Sequence, residues 1–165
     1  MAIEKSTLAT NAVAEPRVAS KNRGVLKSAA DTAEIANGAN GDSMILKCKV
    51  PVTSVIRSVR VASDDLVGLA TLSVGFHKQD NAPLGTSYTA VDVDAIANEI
   101  DVNGAAVAFT EVRFSIQGIE TVNKAAWELA GLSARPEYGE LFVSLTAETG
   151  TEAAGTVSMI VDFID

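Results

Sequence analysis

The chain has 165 residues, 47% of them hydrophobic and only 5% aromatic, with 13 Lys or Arg against 21 Asp or Glu and a formal net charge of −8. That length suits one domain with one ordinary core, and the acidic balance disfavours unspecific nucleic-acid binding, which needs clustered cations to neutralise phosphates. The single cysteine, Cys48, permits no internal disulfide and supplies too few sulfur ligands for structural zinc.

No run of about 18 apolar residues offers a membrane span, and the opening MAIEKSTLATNAVAEP lacks the apolar stretch of a signal peptide. The expectation is a soluble protein made in a reducing cytoplasm. Charge is unevenly spread: residues 1–40 carry five Lys or Arg against four acids, and residues 41–165 carry eight against seventeen.

Residues 1–40 contain ten Ala, four Asn and no aromatic residue. Val13, Val18, Val25, Leu26 and Ile35 are irregularly spaced, and Pro16, Gly24, Gly38 and Gly41 interrupt any helix. AADTAEIA (29–36) offers about two helical turns, marginal without packing. We read 1–40 as an extended N-terminal arm ordered by what it touches, with disorder as the alternative, and 41–165 as the body. Removal of the arm is then expected to leave the body folded.

The body opens with SMILKCKV (43–50), where Met44, Leu46, Cys48 and Val50 alternate with Ile45, Lys47 and Lys49, the pattern of a half-buried strand ended by Pro51. Cys48 is therefore expected to act as a small buried hydrophobe. VTSVIRSVRVAS (52–63) is rich in β-branched residues, interrupted by Arg57 and Arg60, and Asp64–Asp65 marks a turn. LATLSVGFHK (69–78) sets Ala70, Leu72, Val74 and Phe76 against Thr71, Ser73 and Gly75, and QDNAPLG (79–85) reads as a loop.

Val93, Ile96, Ala97 and Ile100 have helical spacing, so VDAIANEI (93–100) reads as a short helix before the turn at Asn103–Gly104. AAVAFTEVRFSIQ (105–117) returns to strand character. TVNKAAWELAGL (121–132) reads as a second helix, capped by Thr121 or Asn123 and closing near Gly131. GELFVSLTAE (139–148) and GTVSMIVDFI (155–164) are strong strands joined by a loop of hairpin length or slightly longer. Six or seven strands with one or two short helices predict a mainly β chain, an antiparallel β-sandwich of jelly-roll type.

No catalytic signature stands out. Gly41-Asp42-Ser43 suggests an esterase nucleophile block, but a serine needs an adjacent base and the only histidine, His77, lies mid-chain. Its position opposite the apolar parity predicts a surface histidine. Asp92, Asp94, Glu99 and Asp101 are close in sequence and can hold Ca²⁺, yet their spacing departs from an EF-hand loop. GANGDS (38–43) lacks the lysine and helix of a phosphate loop. No pair of carboxylates is singled out for glycosidase chemistry. The expectation is a protein without enzymatic activity and without a cofactor or metal.

Between Ser43 and Ser63 there are four basic residues, Lys47, Lys49, Arg57 and Arg60, and no acid. They are either the solvent-facing alternates of two strands or a contact patch for an acidic protein surface.

VASDDLVGLATLSVGFHKQDNAPLGTSYTAVDVDAIANEI (61–100) resembles a segment of small tailed-bacteriophage proteins encoded next to the major capsid protein. A later segment, AAWELAGLSARPEYGELFVSLTAETGTEAAGTVSMIVDFI (125–164), is similar to their Trp–Glu/Gln–x–x–Gly–Leu region through Trp127, Glu128, Gly131 and Leu132. The resemblance covers about two thirds of the chain and transfers no active site. It implies a virion protein of the head decoration or cement family, bound to the outer capsid surface with the major capsid protein as partner. Threefold lattice sites favour a homotrimer, and neither nucleic acid nor membrane is an expected partner. The capsid contacts expected on this reading are Lys5, Arg17, Lys21 and Arg23 of the arm with Lys47, Lys49, Arg57 and Arg60 of the body. The alternative is a binding module, a head fibre or a sandwich whose loops 79–85 and 133–138 meet a glycan or host surface.

Overall fold

A computed structural model describes residues 24–35, 43–66, 68–79, 87–113, 121–135, 139–150 and 154–165. Among them are eight strands, β1 (Leu26–Ile35), β2 (Ser43–Pro51), β3 (Val55–Ser63), β4 (Leu69–Gln79), β5 (Tyr88–Asp101), β6 (Val107–Glu111), β7 (Glu140–Gly150) and β8 (Gly155–Ile164), with one helical turn, α1 (Ala126–Leu129). Two four-stranded antiparallel sheets result, ordered β1-β8-β3-β6 and β2-β7-β4-β5. The first four strands pair with the last four in reverse order, β1 with β8, β2 with β7, β3 with β6 and β4 with β5. This is the winding of a jelly roll, as the strand pattern predicts. The loop after β7 is no hairpin, because β7 and β8 lie in opposite sheets.

The core follows alternation where alternation is clean. In β8, Val157, Met159, Val161 and Phe163 are at most 6% exposed. Opposite them in the second sheet, Leu46, Cys48 and Val50 of β2, Leu72, Val74 and Phe76 of β4, and Leu141, Val143 and Leu145 of β7 are all buried. In β3 the alternation slips: Ile56 and Val59 are both fully buried although three positions apart. The register with β8 jumps from Ile56↔Phe163 to Ser58↔Asp162, leaving Arg57 as the extra residue of a bulge.

The arm boundary at residue 40 is corrected by the structure. Residues 26–35 form β1, whose ten residues pair one for one with β8. They are neither an arm nor the helix considered for 29–36. The signal is weak in sequence because Ala29, Ala33 and Ile35 are the residues of β1 that are not exposed. The ladder with β8, rather than apolar burial, makes this strand.

The helix read over 93–100 is also absent, since the segment belongs to β5. β5 pairs with β4 at Phe76↔Asp92 and then at Val74↔Ala97, so the four residues 93–96 stand against Gly75 alone. That excursion passes over Gly75, where an added Cβ would lie 2.1 Å from the Asp92 carbonyl oxygen and 2.3 Å from the Val93 carbonyl carbon. Helical spacing in VDAIANEI thus reflects a bulged strand that buries Ala95, Ile96 and Ala97 in succession.

The second helix shrinks to one turn. Ala125 is its N-cap, and Glu128 accepts from the Ala125 N–H at 2.8 Å. The turn docks by main chain, with Ala126 N donating to Ser54 O (2.8 Å) and Trp127 N to Val52 O (3.1 Å). Ala126, Leu129 and Ala130 are buried there. Strand character over 105–117 is kept at Val107–Glu111, and 114–120 lie outside the described residues.

Candidate interaction surface

Each sheet presents an outer face, and the expected contact residues divide between them. Lys47 and Lys49 alternate with buried Leu46, Cys48 and Val50, so they stand on the outer face of the β2-β7-β4-β5 sheet. Arg60 Nη2 donates at 3.0 Å to Asp162, which alternates with buried Val161 and Phe163 on the other sheet. Arg57, in the β3 bulge, donates from Nη1 to Val122 O and Asn123 Oδ1, both at 3.3 Å. The four body cations therefore form no single patch. They are close in sequence, but β2 and β3 lie in different sheets. Lys5, Arg17, Lys21 and Arg23 lie outside the described residues.

The body cations also have local partners. Lys49 pairs with Glu140, Arg60 with Asp162, and Lys47 Nζ sits 3.8 Å from the Tyr88 ring centroid. Tyr88 in turn meets Phe142 edge-on, with ring centroids 5.1 Å apart. On the first sheet, the Glu111 carboxylate accepts from the Ser58 hydroxyl, from Val59 N at 3.0 Å and from Arg113 N at 2.9 Å, bracing the bulge.

Arg113 is fully buried and donates from Nη2 to Thr121 O at 3.1 Å, which ties the end of β6 to the turn before α1. Nothing in its surrounding sequence marks it as buried. Desolvation holds its guanidinium below the ordinary arginine range, while the charge of Glu111 acts the other way.

His77 is a correction. Its parity is outward as expected, yet it is only 4% exposed, and Nδ1 lies 2.6 Å from Ser144 Oγ. The residues of β4 from Leu72 to His77 are buried on both faces, and at Gly75 the main chain of Asp92 and Val93 lies against the outer face. Burial holds the imidazole below its ordinary pKa. As pH falls through about 6.5, the unfolded chain binds a proton at His77 that the folded chain refuses, so this histidine withdraws stability toward acid pH. Asp92 acts oppositely: burial, then the hydrogen bond and charge of Asp94, raise its pKa, so the folded state takes up that proton first. We expect urea midpoints of His77→Gln to fall less between pH 7 and pH 5 than those of the parent, and identical slopes would refute the burial argument.

Gly41 and Asp42 lie outside the described residues, as does the side chain of Ser43. Among the described residues no group of three or more His, Cys, Asp or Glu is placed to hold a metal ion. Asp101 accepts from Asn103 N at 3.0 Å, and Glu99 takes a positive φ of 55°. Cys48 is buried as expected, and desolvation, helped by the charge of Asp31, pushes its thiol up to about 12, far from a reactive thiolate.

Among the described residues no helix is long and apolar enough to cross a membrane. No protein-family model matches the chain, and no curated protein matches it. Among solved structures, a chain of the cyanophage Pam1 capsid asymmetric unit is similar, at 15% identity and a TM-score of 0.40, covering 86% of this chain and 85% of that one. A likeness so distant assigns neither family nor role.

Proposed function

We propose that the chain is a virion structural protein, a head decoration or cement protein that attaches to the outer surface of a phage capsid and has the major capsid protein as its partner. The observation that carries this reading is the junction at the start of β1. Leu26, the first residue of the edge strand β1, is 60% exposed, and Val25 just before it is 71% exposed. Residues 1–23, with four Lys or Arg against two Glu, join the sandwich at this point. An edge strand presents unpaired main-chain donors and acceptors, and a basic segment beside exposed apolar side chains is suited to an acidic, partly apolar surface. Attachment through repeated copies needs no chemistry at any one of them.

The division of the body cations shifts the contact set. Lys5, Arg17, Lys21 and Arg23 become its principal members, because Lys47 and Lys49 face away from Arg57 and Arg60. Closed homotrimers on threefold lattice sites are the assembly this reading expects, with the virion surface as location and no enzymatic activity.

Co-sedimentation with undecorated capsids tests the reading. Full-length chain is expected to pellet with the particles, less so as ionic strength rises. Chain lacking residues 1–23 is expected to lose at least about 100-fold in apparent affinity, the scale of a lost multivalent link. Undiminished occupancy by the truncated chain would sink the proposal.

A further inference from the structure

We infer that the groove between β3, β6 and β8 is a site for a neutral sugar ring. Ala62, Ser63, Asp64, Val107, Thr156 and Ser158 line this shallow depression of about 220 Å³. That is below the roughly 300–1,000 Å³ of drug-sized sites and suits one small ring.

The lining is held in place before any ligand arrives. Asp64 N donates to Thr156 O at 2.9 Å, and Thr156 N donates to Asp64 Oδ2 at 2.8 Å, which leaves Oδ1 as an acceptor. The next residues are fixed from the other side, Asp65 Oδ1 accepting from Gly104 N at 2.9 Å and Leu66 N donating to Val102 O at 3.1 Å. Ser158 Oγ bonds Thr32 Oγ1 at 2.9 Å. Ser63 is only 7% exposed and shares the inward parity of Val59 and Val61, so it borders the groove from the core side of β3.

An exposed aromatic stands alongside. Phe109 is 53% exposed, one of three large hydrophobic side chains so exposed among the described residues. It lies two positions beyond Val107 on β6 and beside Ala62, whose neighbours Val61 and Ser63 pair with Thr110 and Val107. It also shares the parity of Glu111, which bonds Ser58 on the outer face.

The chemistry of the lining selects the ligand class. One carboxylate and the hydroxyls of Thr156 and Ser158 meet a vicinal diol's needs for acceptors and donors, and no lining residue is cationic. Anionic ligands are therefore repelled by Asp64. The apolar C–H face of a pyranose suits the negative face of the Phe109 ring. An open groove gives weak binding at one copy, with a Kd of about 1–10 mM.

Backbone amide NMR of the free full-length chain tests this without reference to any capsid. The probes are methyl glucoside, methyl galactoside and N-acetylglucosamine, with N-acetylneuraminic acid as the anionic comparison. At least one neutral probe is expected to give saturable shifts confined to residues 62–64, 107–109 and 156–158. Phe109→Ala, a surface change, is expected to weaken that binding about tenfold. The inference is overturned if no neutral probe shifts these amides, if Phe109→Ala leaves the response unchanged, or if the anionic probe binds equally well.

Discussion

Gly75→Ala is expected to destabilise the fold by about 3 kcal/mol, toward the upper end of what forced overpacking costs. The added methyl would sit 2.1 Å from the Asp92 carbonyl oxygen and 2.5 Å from that of Val93. These are main-chain atoms, so no rotamer change makes room. β5 has to lift away from β4, and with it goes the Ser73 Oγ to Asn98 Oδ1 hydrogen bond of 3.1 Å. Gly104→Ala is the control, since Gly104 has a φ of +90° but nothing within 4 Å of the added atom. It is expected to cost about 1 kcal/mol through backbone conformation alone. Urea unfolding of both variants decides the matter: Gly75→Ala as mild as its control would mean that β5 does not pass over this glycine.

Removal of residues 1–35 is expected to be far more damaging than removal of residues 1–23. The shorter deletion stops before Gly24, and the whole β1–β8 ladder survives it. The longer one strips β8 of ten partners and uncovers the side of the core closed by Ala29, Ala33 and Ile35. It also turns β8, whose Val157, Met159, Val161 and Phe163 are inward and apolar, into a free edge, the arrangement that invites edge-to-edge aggregation. Thermal unfolding with light scattering separates the cases. The 1–23 deletion should melt within a few degrees of the parent, whereas the 1–35 deletion should fall by at least about 10 °C or precipitate, as a loss of several kcal/mol implies. Equal melting of the two would mean that β1 contributes nothing to the sandwich.

That second expectation replaces the one drawn from composition, in which forty residues were dispensable to the fold. The junction at Val25–Leu26 matters to the proposed attachment for the same reason. A strand anchored on β8 is a firm base from which a basic leading segment reaches a neighbouring surface, so loss of the segment and loss of the base have different readouts.

Much of the architecture is local and could be read directly. The alternation in SMILKCKV, LATLSVGFHK and GTVSMIVDFI sets which side chains of β2, β4 and β8 enter the core, because a strand's two faces are decided residue by residue. Burial of Cys48 and the β-sandwich class follow from the same periodicity. Which strands become neighbours is different, since it depends on contacts between β1 and β8 or β2 and β7, about ninety or more positions apart. Only that pairing turns an alanine-rich segment into a strand, sends Lys47 and Arg60 to opposite outer faces, and joins Asp64 to Thr156 beside Phe109. Only the tertiary structure buries a histidine whose parity points outward and sets it against Ser144 of β7. Alternation records the solvent on each side of a strand, and it is silent about the second strand, or second layer, that takes the solvent's place.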